Sequence, residues 1–243
     1  MKKDVIIALD FSGEDEVFDF LDKFSKEKPY VKIGMELFYA AGPDIVRKVK
    51  SRGHKVFLDL KLHDIPHTIE KTAAVLAGLD IDMCNVHAAG GTDMMKAAVS
   101  GFSSGPFERP QVIAVTQLTS TGIRMLAEEL LIKDTMEDTV VHYARSAKKA
   151  GMDGVVCSVW EAGRMHRKCG ADFLAVTPGI RFADNSKDDQ KRIAFPGDAG
   201  KAGSDLIVIG RPVTGASDPE AAFRRCRKEF SEGHLKNHKK GDE

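Results

Sequence analysis

The sequence has 243 residues, of which 42% are hydrophobic and 30% charged, a balance that indicates a folded globular protein rather than a disordered one. Lys and Arg together number 36, as do Asp and Glu, so no net charge favours binding to nucleic acid or to an anionic membrane. No apolar run approaches the roughly 20 residues that span a bilayer, and acidic residues interrupt the short apolar run at the N-terminus. We therefore expect a cytoplasmic protein.

Eight short runs rich in Val, Ile, Leu and Phe recur along the chain and have the length of buried strands. In chain order they are DVIIALDF, YVKIGMEL, KVFLDLKL, DMCNVHA, VIAVTQLT, GVVCSV, DFLAVTPG and DLIVIGRP. Segments with helical periodicity separate them, among them GEDEVFDFLDKFSKE, GPDIVRKVKSRG, DTMEDTVVHYARSAKKAG and SDPEAAFRRCRKEF. In the last segment, Ser217 and Glu220 have the spacing of a capping box.

This alternation predicts parallel strands joined by crossover helices. Eight units in 243 residues give 243/8, or about 30 residues each, close to the length of a (β/α)₈ barrel. A doubly wound open sheet is the alternative, but its usual G-x-G-x-x-G turn is absent from the sequence. We predict a single-domain (β/α)₈ TIM barrel over residues 1–230 and a polar, frayed tail over residues 231–243.

The cysteines have no C-x-x-C spacing, which favours small core residues in a reducing compartment over a disulfide or zinc framework. They are Cys84, Cys157, Cys169 and Cys226. His54 is expected at the surface and His87 at the pocket, and the spacing of the histidines does not predict a metal site.

The active site of such a barrel lies at the C-terminal ends of its strands. The polar residues there are Asp10, Lys32, Asp59, Lys61, Asp64, His87, Thr119, Arg181 and Arg211. Lys32 stands in an apolar run, where it either serves the site or extends its ammonium to water.

The third run, with its continuation DLKLHDIPHT, has the most unusual composition. Asp59 and Lys61 are two residues apart, so both face the barrel interior if Leu58 and Leu60 face the helices. Asp64 follows where the strand ends. Because burying charges is costly, we expect a catalytic cluster here, and a structural ion pair that caps the barrel is the alternative.

The loops after the seventh and eighth runs predict a phosphate site. Gly179 and Arg181 follow the seventh run, and Gly210 and Arg211 end the eighth. Unobstructed backbone N–H groups and guanidinium groups bind phosphate oxygens, and in this fold these two loops often do so. A surface arginine beside a turn glycine would explain either loop alone more easily than both.

These motifs resemble those of the orotidine 5'-phosphate decarboxylase family in its bacterial form, over residues 4–230. The segments that carry the resemblance are LDF, VKIGMELF, DLKLHDIPHT, NVHAAGG, VTQLTS, TPGIR, DDQKR and IGRP. His67 departs from the family, in which DIPNT is the more usual form.

The resemblance implies decarboxylation of orotidine 5'-phosphate to UMP, without a metal or organic cofactor, in a homodimer. It implies that Asp59, Lys61 and Asp64 are catalytic, with Asp64 and Thr68 reaching into the active site of the partner subunit. Lys61 would stabilise negative charge at carbon 6 of the pyrimidine ring and then protonate that carbon.

The same resemblance implies a set of substrate-binding residues. Asp10 and Lys32 would bind the ribose hydroxyls, and Thr119 would contact the pyrimidine ring. The residues at the phosphate end would be Arg181, Gln190, Gly210 and Arg211.

Two other functions remain open. Sugar-phosphate decarboxylases such as 3-keto-L-gulonate 6-phosphate decarboxylase share the D-x-K-x-x-D strand but use magnesium, with a glutamate on the second strand where this chain has Lys32. A phosphate-binding barrel that acts as a sensor would bind ligand without turnover.

Overall fold

The computed structural model describes residues 3–25, 27–183 and 194–238 of the chain. Its parallel strands close into a barrel in sequence order, and β8 completes the barrel by pairing with β1. The strands are β1 (Asp4–Ala8), β2 (Tyr30–Gly34), β3 (Val56–Leu62), β4 (Met83–His87), β5 (Gln111–Val115), β6 (Gly154–Val156), β7 (Leu174–Thr177) and β8 (Leu206–Ile209). The predicted (β/α)₈ barrel is confirmed.

Helices surround the barrel and connect its strands. They are α1 (Glu14–Leu21), α2 (Met35–Ala41), α3 (Asp44–Ser51), α4 (Pro66–Ala77), α5 (Gly91–Ser103), α6 (Met136–Lys149), α7 (Ala162–Cys169), α8 (Pro196–Ala202), α9 (Arg211–Thr214) and α10 (Pro219–His238). In α3, Ile45, Val46 and Val49 recur at helical spacing and are buried against the strands. Within the described ranges, no helix is both long and apolar enough to cross a membrane.

Alternating strand residues build two cores. Outward residues such as Leu58 pack under the helices in the larger outer core, which also contains the four buried cysteines. Inward residues form the inner core of the barrel: Ile6, Ala8, Tyr30, Phe57, Met83, Ile113, Leu174, Val176, Leu206 and Val208. The prediction that the cysteines are core residues is confirmed.

The alternation of inward and outward side chains along each strand also positions the polar residues. Lys32, Asp59 and Asn85 come two residues after Tyr30, Phe57 and Met83, respectively. They therefore form the next inward layer, directly above the inner core on the C-terminal side.

At the opposite end of the barrel, aspartates join neighbouring strands. Asp82, Asp153 and Asp205 each precede an even-numbered strand and accept a backbone N–H near the start of the odd-numbered strand before it. The donors are Val56, Val112 and Ala175, each at 2.7 Å. Each aspartate also pairs with a cation, and the partners are Lys50, Arg109 and Lys3.

The C-terminal boundary differs from the prediction. Instead of a frayed tail from residue 231, α10 continues to His238, because Gly233 packs directly against the backbone of Gly197 in α8. The predicted capping box is also wrong. Asp218, not Ser217, caps α10, and its Oδ1 accepts the N–H of Ala221 at 2.9 Å.

His54 is another correction, since it is only 2% exposed although a surface position was expected. Its Nδ1 lies 3.0 Å from the carbonyl oxygen of Pro29, so the ring fills the space where the chain enters β3 and still satisfies a polar atom. Burial lowers the pKa of His54, which favours the neutral ring.

Candidate active site

Four side chains of alternating charge line the C-terminal opening of the barrel, and we call them the charged row: Asp10, Lys32, Asp59 and Lys61. The Nζ of Lys32 lies 3.4 Å from Asp10 Oδ1 and 3.2 Å from Asp59 Oδ2. The Nζ of Lys61 lies 2.7 Å from Asp59 Oδ1. The formal charges cancel, so the row can be desolvated without leaving a net charge buried.

Exposure falls along the charged row from its edge toward its centre. The side chain of Asp10 is 62% exposed, whereas those of Lys32 and Asp59 are 13% and 12% exposed. Burial favours the neutral acid at Asp59, but the charges of Lys32 and Lys61 and the hydrogen bonds to this carboxylate outweigh burial and lower its pKa. Asp59 is therefore held as a carboxylate between two ammonium groups.

Lys61 reaches this position through an irregular strand. Leu58 and Leu60 do pack in the outer core, as the alternation of β3 predicts. At Lys61, however, the backbone has a φ of 51°, and the pairing of β3 with β4 shifts register between Leu58 and Leu62. The N–H of Lys61 donates to the side-chain Oδ1 of Asn85 at 2.8 Å.

A cavity of about 190 Å³ lies beside the charged row. Its walls are mostly apolar, and the residues other than those of the row are Phe57, Asn85, Val115, Gln117, Leu118, Thr119, Val156, Cys157, Val176, Pro178 and Val208. Thr119 was predicted at this site. An apolar cavity with charged groups on one side raises the strength of their electrostatic interactions with a bound molecule.

Asp64 and Thr68 lie apart from the charged row. They belong to the rim segment, residues 63–68, whose side chains are all exposed. The Oδ1 of Asp64 accepts the N–H of Ile65 at 2.7 Å, and among the described residues no ion pair joins Asp64 to Lys61. Within one chain, the predicted third catalytic carboxylate therefore does not join the other two charged residues of β3.

The predicted phosphate residues have different environments. Gly179 has a φ of 82°, which favours glycine, and turns the chain toward the buried Arg181, whose Nη1 donates to the Ile180 carbonyl at 2.9 Å. Arg211 is exposed at the start of α9. Gly210 lies beside the charged row, since a Cβ there would be 3.5 Å from Asp10 Oδ2. Gln190 lies outside the described residues.

Comparison with known proteins identifies the family. A profile of the "Orotidine 5'-phosphate decarboxylase / HUMPS family" matches residues 3–226. The chain belongs to this family. Two relatives named orotidine 5'-phosphate decarboxylase, from Geobacillus sp. (strain WCH70) and Geobacillus thermodenitrificans, are 52% and 54% identical to it. The alignments cover 95% and 94% of this chain and 98% and 97% of those relatives.

A solved structure of the same family supports the fold. The crystal structure of orotidine 5'-phosphate decarboxylase from Lactobacillus acidophilus superposes with a TM-score of 0.86 at 42% identity. The match covers 94% of this chain and 99% of that structure. The barrel of this decarboxylase-family member, including the strands that carry the charged row, is therefore shared with a relative of known structure.

Sequence reasoning missed two polar groups of the site, Asn85 and Gln117. Asn85 could have been found, because it is a polar residue inside an apolar run and stands two positions before His87, on the same face. Gln117 follows β5 and shares the cavity wall with Thr119. Such a position depends on how the loop folds back, which strand periodicity does not predict.

His87 is half-buried at the end of β4, where its ring centroid lies 5.6 Å from that of the exposed His63. Burial lowers the pKa of His87, and the nearby charges of His63 and Lys61 lower it further. His87 is not among the described residues that line the cavity, but it lies close enough to Lys61 and Asp59 for their charges to affect its pKa.

Proposed function

We propose that the protein decarboxylates orotidine 5'-phosphate to UMP, the last step of pyrimidine synthesis. The observation that carries this proposal is the charged row, which presents a buried carboxylate and an ammonium group to a largely apolar cavity at the active end of the barrel. The names of its close relatives support the same reaction.

The reaction has to stabilise a carbanion. The bond between carbon 6 of the pyrimidine ring and the carboxylate breaks, carbon dioxide leaves, and the electron pair remains on carbon 6. The ammonium group of Lys61 stabilises this developing charge and then transfers one proton to carbon 6, and water returns a proton to the amine. The partly buried position of Lys61, 27% exposed, strengthens this electrostatic interaction relative to water.

Asp59 orients Lys61 through the 2.7 Å contact between its Oδ1 and the Nζ of Lys61. The lowered pKa of Asp59 keeps the carboxylate charged while it does so. Asp10 and Lys32 are proposed to bind the ribose hydroxyls, and the exposure of Asp10 at the edge of the opening fits this role. Thr119, in the cavity wall, is proposed to contact the pyrimidine ring.

The phosphate group is proposed to bind between the loops after β7 and β8, through Arg181, Gln190, Gly210 and Arg211. The proximity of Gly210 to Asp10 supports this arrangement, because it brings the β8 loop next to the proposed ribose-binding end of the charged row. The exposed Arg211 can then reach an incoming anion from solvent.

We propose a homodimer in which Asp64 and Thr68 complete the active site of the partner subunit. The support is that both are exposed and separate from the charged row of their own chain. Exposed apolar side chains occur in the same stretch of the chain, Ile65 in the rim segment and Val75 on α4. The buried free cysteines fit a reducing compartment, and we propose the cytoplasm.

No metal is required in this proposal, because Lys32 already supplies a cation 3.2 Å from Asp59 Oδ2. A magnesium ion bound to Asp59 would have to compete with this ammonium group. The magnesium-dependent sugar-phosphate decarboxylases have a glutamate on the second strand, which corresponds to β2 with Lys32 in this chain. A glutamate there would attract a metal ion, whereas Lys32 repels it.

The test is to incubate the protein with orotidine 5'-phosphate and follow the ultraviolet absorbance, which changes when the pyrimidine ring loses its carboxylate. We expect turnover that persists in EDTA. Turnover that EDTA abolishes and magnesium restores would contradict the metal-free reaction. Binding of UMP without any turnover of orotidine 5'-phosphate would indicate a sensor instead.

A further inference from the structure

Asn85 is a buried amide in the centre of the site. It lies on β4 at the inward position above Met83 and is 1% exposed. A buried amide is costly unless its donor and acceptor atoms both have partners. The partners of Asn85 therefore indicate why the barrel contains an amide at a position that could be apolar.

Both ends of the Asn85 amide contact β3. Its Oδ1 accepts the backbone N–H of Lys61 at 2.8 Å, and its Nδ2 donates to Asp59 Oδ1 at 2.7 Å. The N–H of Lys61 can only donate, and the carboxylate of Asp59 can only accept. This pattern fixes the orientation of the amide, and neither an apolar side chain nor a carboxylate can reproduce it.

The first contact holds an unusual backbone. Lys61 has a φ of 51°, in the left-handed region that residues other than glycine seldom adopt. Such a conformation persists only where the surrounding structure enforces it. The regular pairing of β3 with β4 is interrupted between Leu58 and Leu62, and here the side chain of Asn85 accepts the N–H of Lys61.

The second contact fixes the carboxylate that holds the lysine. Asp59 Oδ1 receives both the Nζ of Lys61 and the Nδ2 of Asn85, each at 2.7 Å, while Oδ2 faces Lys32. With donors on both oxygens, the carboxylate has one favourable rotation. Without Asn85, it could turn away from Lys61 and toward Lys32.

We propose that Asn85 is a positioning residue for the reaction, in which one amide sets both the backbone that carries Lys61 and the orientation of the carboxylate that holds its ammonium group. This inference rests on the proposed decarboxylation and deepens it. Asn85 acts through Lys61 and Asp59, and its role is to hold the proton donor in line with carbon 6.

The kinetic test compares Asn85→Leu, which keeps a similar volume without the amide, with Cys84→Ala. Cys84 is the neighbouring buried residue of β4 and belongs to the outer core, so its truncation controls for a general loss of packing. We expect Asn85→Leu to lower kcat about 10²-fold, as a misplaced reactive group does, with a much smaller change in the dissociation constant of UMP. Cys84→Ala should keep its kcat.

A second readout does not depend on turnover. Carbon-13 NMR of aspartate carboxyls in the ligand-free protein, with the Asp59 signal assigned by Asp59→Asn, reports the titration midpoint of Asp59. The charged or titratable side chains that interact with this carboxylate are Lys32 on β2, Lys61 on β3 and His87 on β4. The Asn85→Leu variant retains all three residues. We expect the midpoint to rise in Asn85→Leu, because the carboxylate loses a donor, and to stay unchanged in Cys84→Ala.

The outcomes separate the two proposals. A kcat of Asn85→Leu that equals that of Cys84→Ala would overturn the positioning role. If wild type does not turn over orotidine 5'-phosphate, the proposed function fails, and the Asp59 midpoint alone then decides: a rise supports the role of Asn85, and no change overturns it.

Asn85→Asp serves if Asn85→Leu does not fold. Its carboxyl has the shape of the amide, but when ionised it places an oxygen against Asp59 Oδ1 where the donor stood. We expect its loss of kcat relative to wild type to shrink as the pH falls, because the protonated carboxyl can again donate to Asp59 and accept from Lys61. A loss that is independent of pH would contradict the donor role.

Discussion

Lys61 combines a charged side chain at a cavity with a left-handed backbone, and the two features support each other. The left-handed turn interrupts the regular pairing of β3 with β4, and the N–H of Lys61 donates to the side chain of Asn85 instead. The Nζ then lies 2.7 Å from Asp59, which Lys32 contacts from the other side. Asp59 is therefore held between two ammonium groups, and Lys32 between two carboxylates.

We predict that Lys61→Ala abolishes measurable turnover while UMP still binds. General acid catalysis alone contributes about 10² to 10⁴ in rate, and the same ammonium is proposed to stabilise the carbanion. Turnover is measured from ultraviolet absorbance and UMP binding by calorimetry. Lys149→Ala, which removes an exposed lysine at the end of α6, is the control and should retain activity. Near-normal turnover by Lys61→Ala would remove this residue from the mechanism.

The proposed phosphate end gives a second prediction at the scale of a residue. Arg211→Ala should weaken UMP binding by about 1.5 to 3 kcal/mol, the range for a hydrogen bond to a charged group, and leave the weak binding of uridine unchanged. Calorimetric titrations with both ligands measure the difference. Arg167→Ala, at an exposed position of α7, should not affect either ligand. Equal affinity of the wild type for UMP and uridine would refute the phosphate site.

At the scale of elements, the two ends of the barrel divide stability and function. The C-terminal ends of β1, β2 and β3 carry the charged row, whereas aspartates at the N-terminal ends join neighbouring strands through backbone N–H groups. Among these aspartates, Asp205 contacts three different groups. It accepts the N–H of Ala175, pairs with Lys3 and lies 3.2 Å from His166 Nε2.

The contact between His166 and Asp205 predicts how stability depends on pH. The hydrogen bond to Asp205 raises the pKa of His166. The contribution of His166 to the free energy of unfolding is therefore complete below the ordinary pKa of histidine and is lost as pH rises through the raised pKa. Burial alone would raise the pKa of Asp205, but the hydrogen bonds of Asp205 to His166 and Lys3 outweigh burial and lower this pKa. The contribution of Asp205 to the free energy of unfolding is therefore present above the ordinary pKa of aspartate and is lost as pH falls through the lowered pKa. The pair should stabilise the fold most between these limits.

Urea unfolding of wild type and His166→Gln from pH 5 to pH 9 measures this contribution. We expect the difference in free energy of unfolding to be largest at the acidic end of this range and to diminish toward pH 9. In an Asp205→Asn background the same substitution should show little dependence on pH. A difference between wild type and His166→Gln that grows toward pH 9 would contradict the assigned direction.

At the scale of the whole molecule, the rim segment makes the oligomer part of the proposed mechanism. Asp64 is exposed and separate from the charged row of its own chain, and we propose that the third acid comes from another subunit. In a two-fold dimer each subunit would give its Asp64 to the other, and each site would combine residues of two chains. Asp59 and Lys61 would remain with their own chain.

Mixing two inactive variants tests this arrangement. When Lys61→Ala and Asp64→Ala exchange subunits, a mixed dimer has one site with intact Lys61 and Asp64 and one site with both substitutions. Random exchange makes about half of the dimers mixed, so activity should recover to roughly one quarter of wild type by this symmetry. Each variant alone is the control. Exchange demonstrated by mass labelling without any recovery of activity would contradict the shared site.

The sequence by itself determined the barrel and the members of the charged row. Eight apolar runs separated by helical segments predict parallel strands that bury both faces, as in a barrel or a doubly wound sheet, and the length of the units and the absence of a G-x-G-x-x-G turn favour the barrel. Once the strands are parallel, their polar ends meet, so Asp10, Lys32, Asp59 and Lys61 could be assigned to one opening from their positions alone. These conclusions depend only on strand periodicity and chain direction.

Tertiary structure decided what depends on packing between distant segments. The left-handed turn at Lys61 and the amide of Asn85 arise from the pairing of β3 with β4, which the pattern of neither strand specifies. The extension of α10 to His238 depends on the contact of Gly233 with α8, although the local sequence is polar. Local patterns report the average environment of a residue, whereas a close backbone contact or one buried hydrogen bond is set by the partner that the fold brings to it.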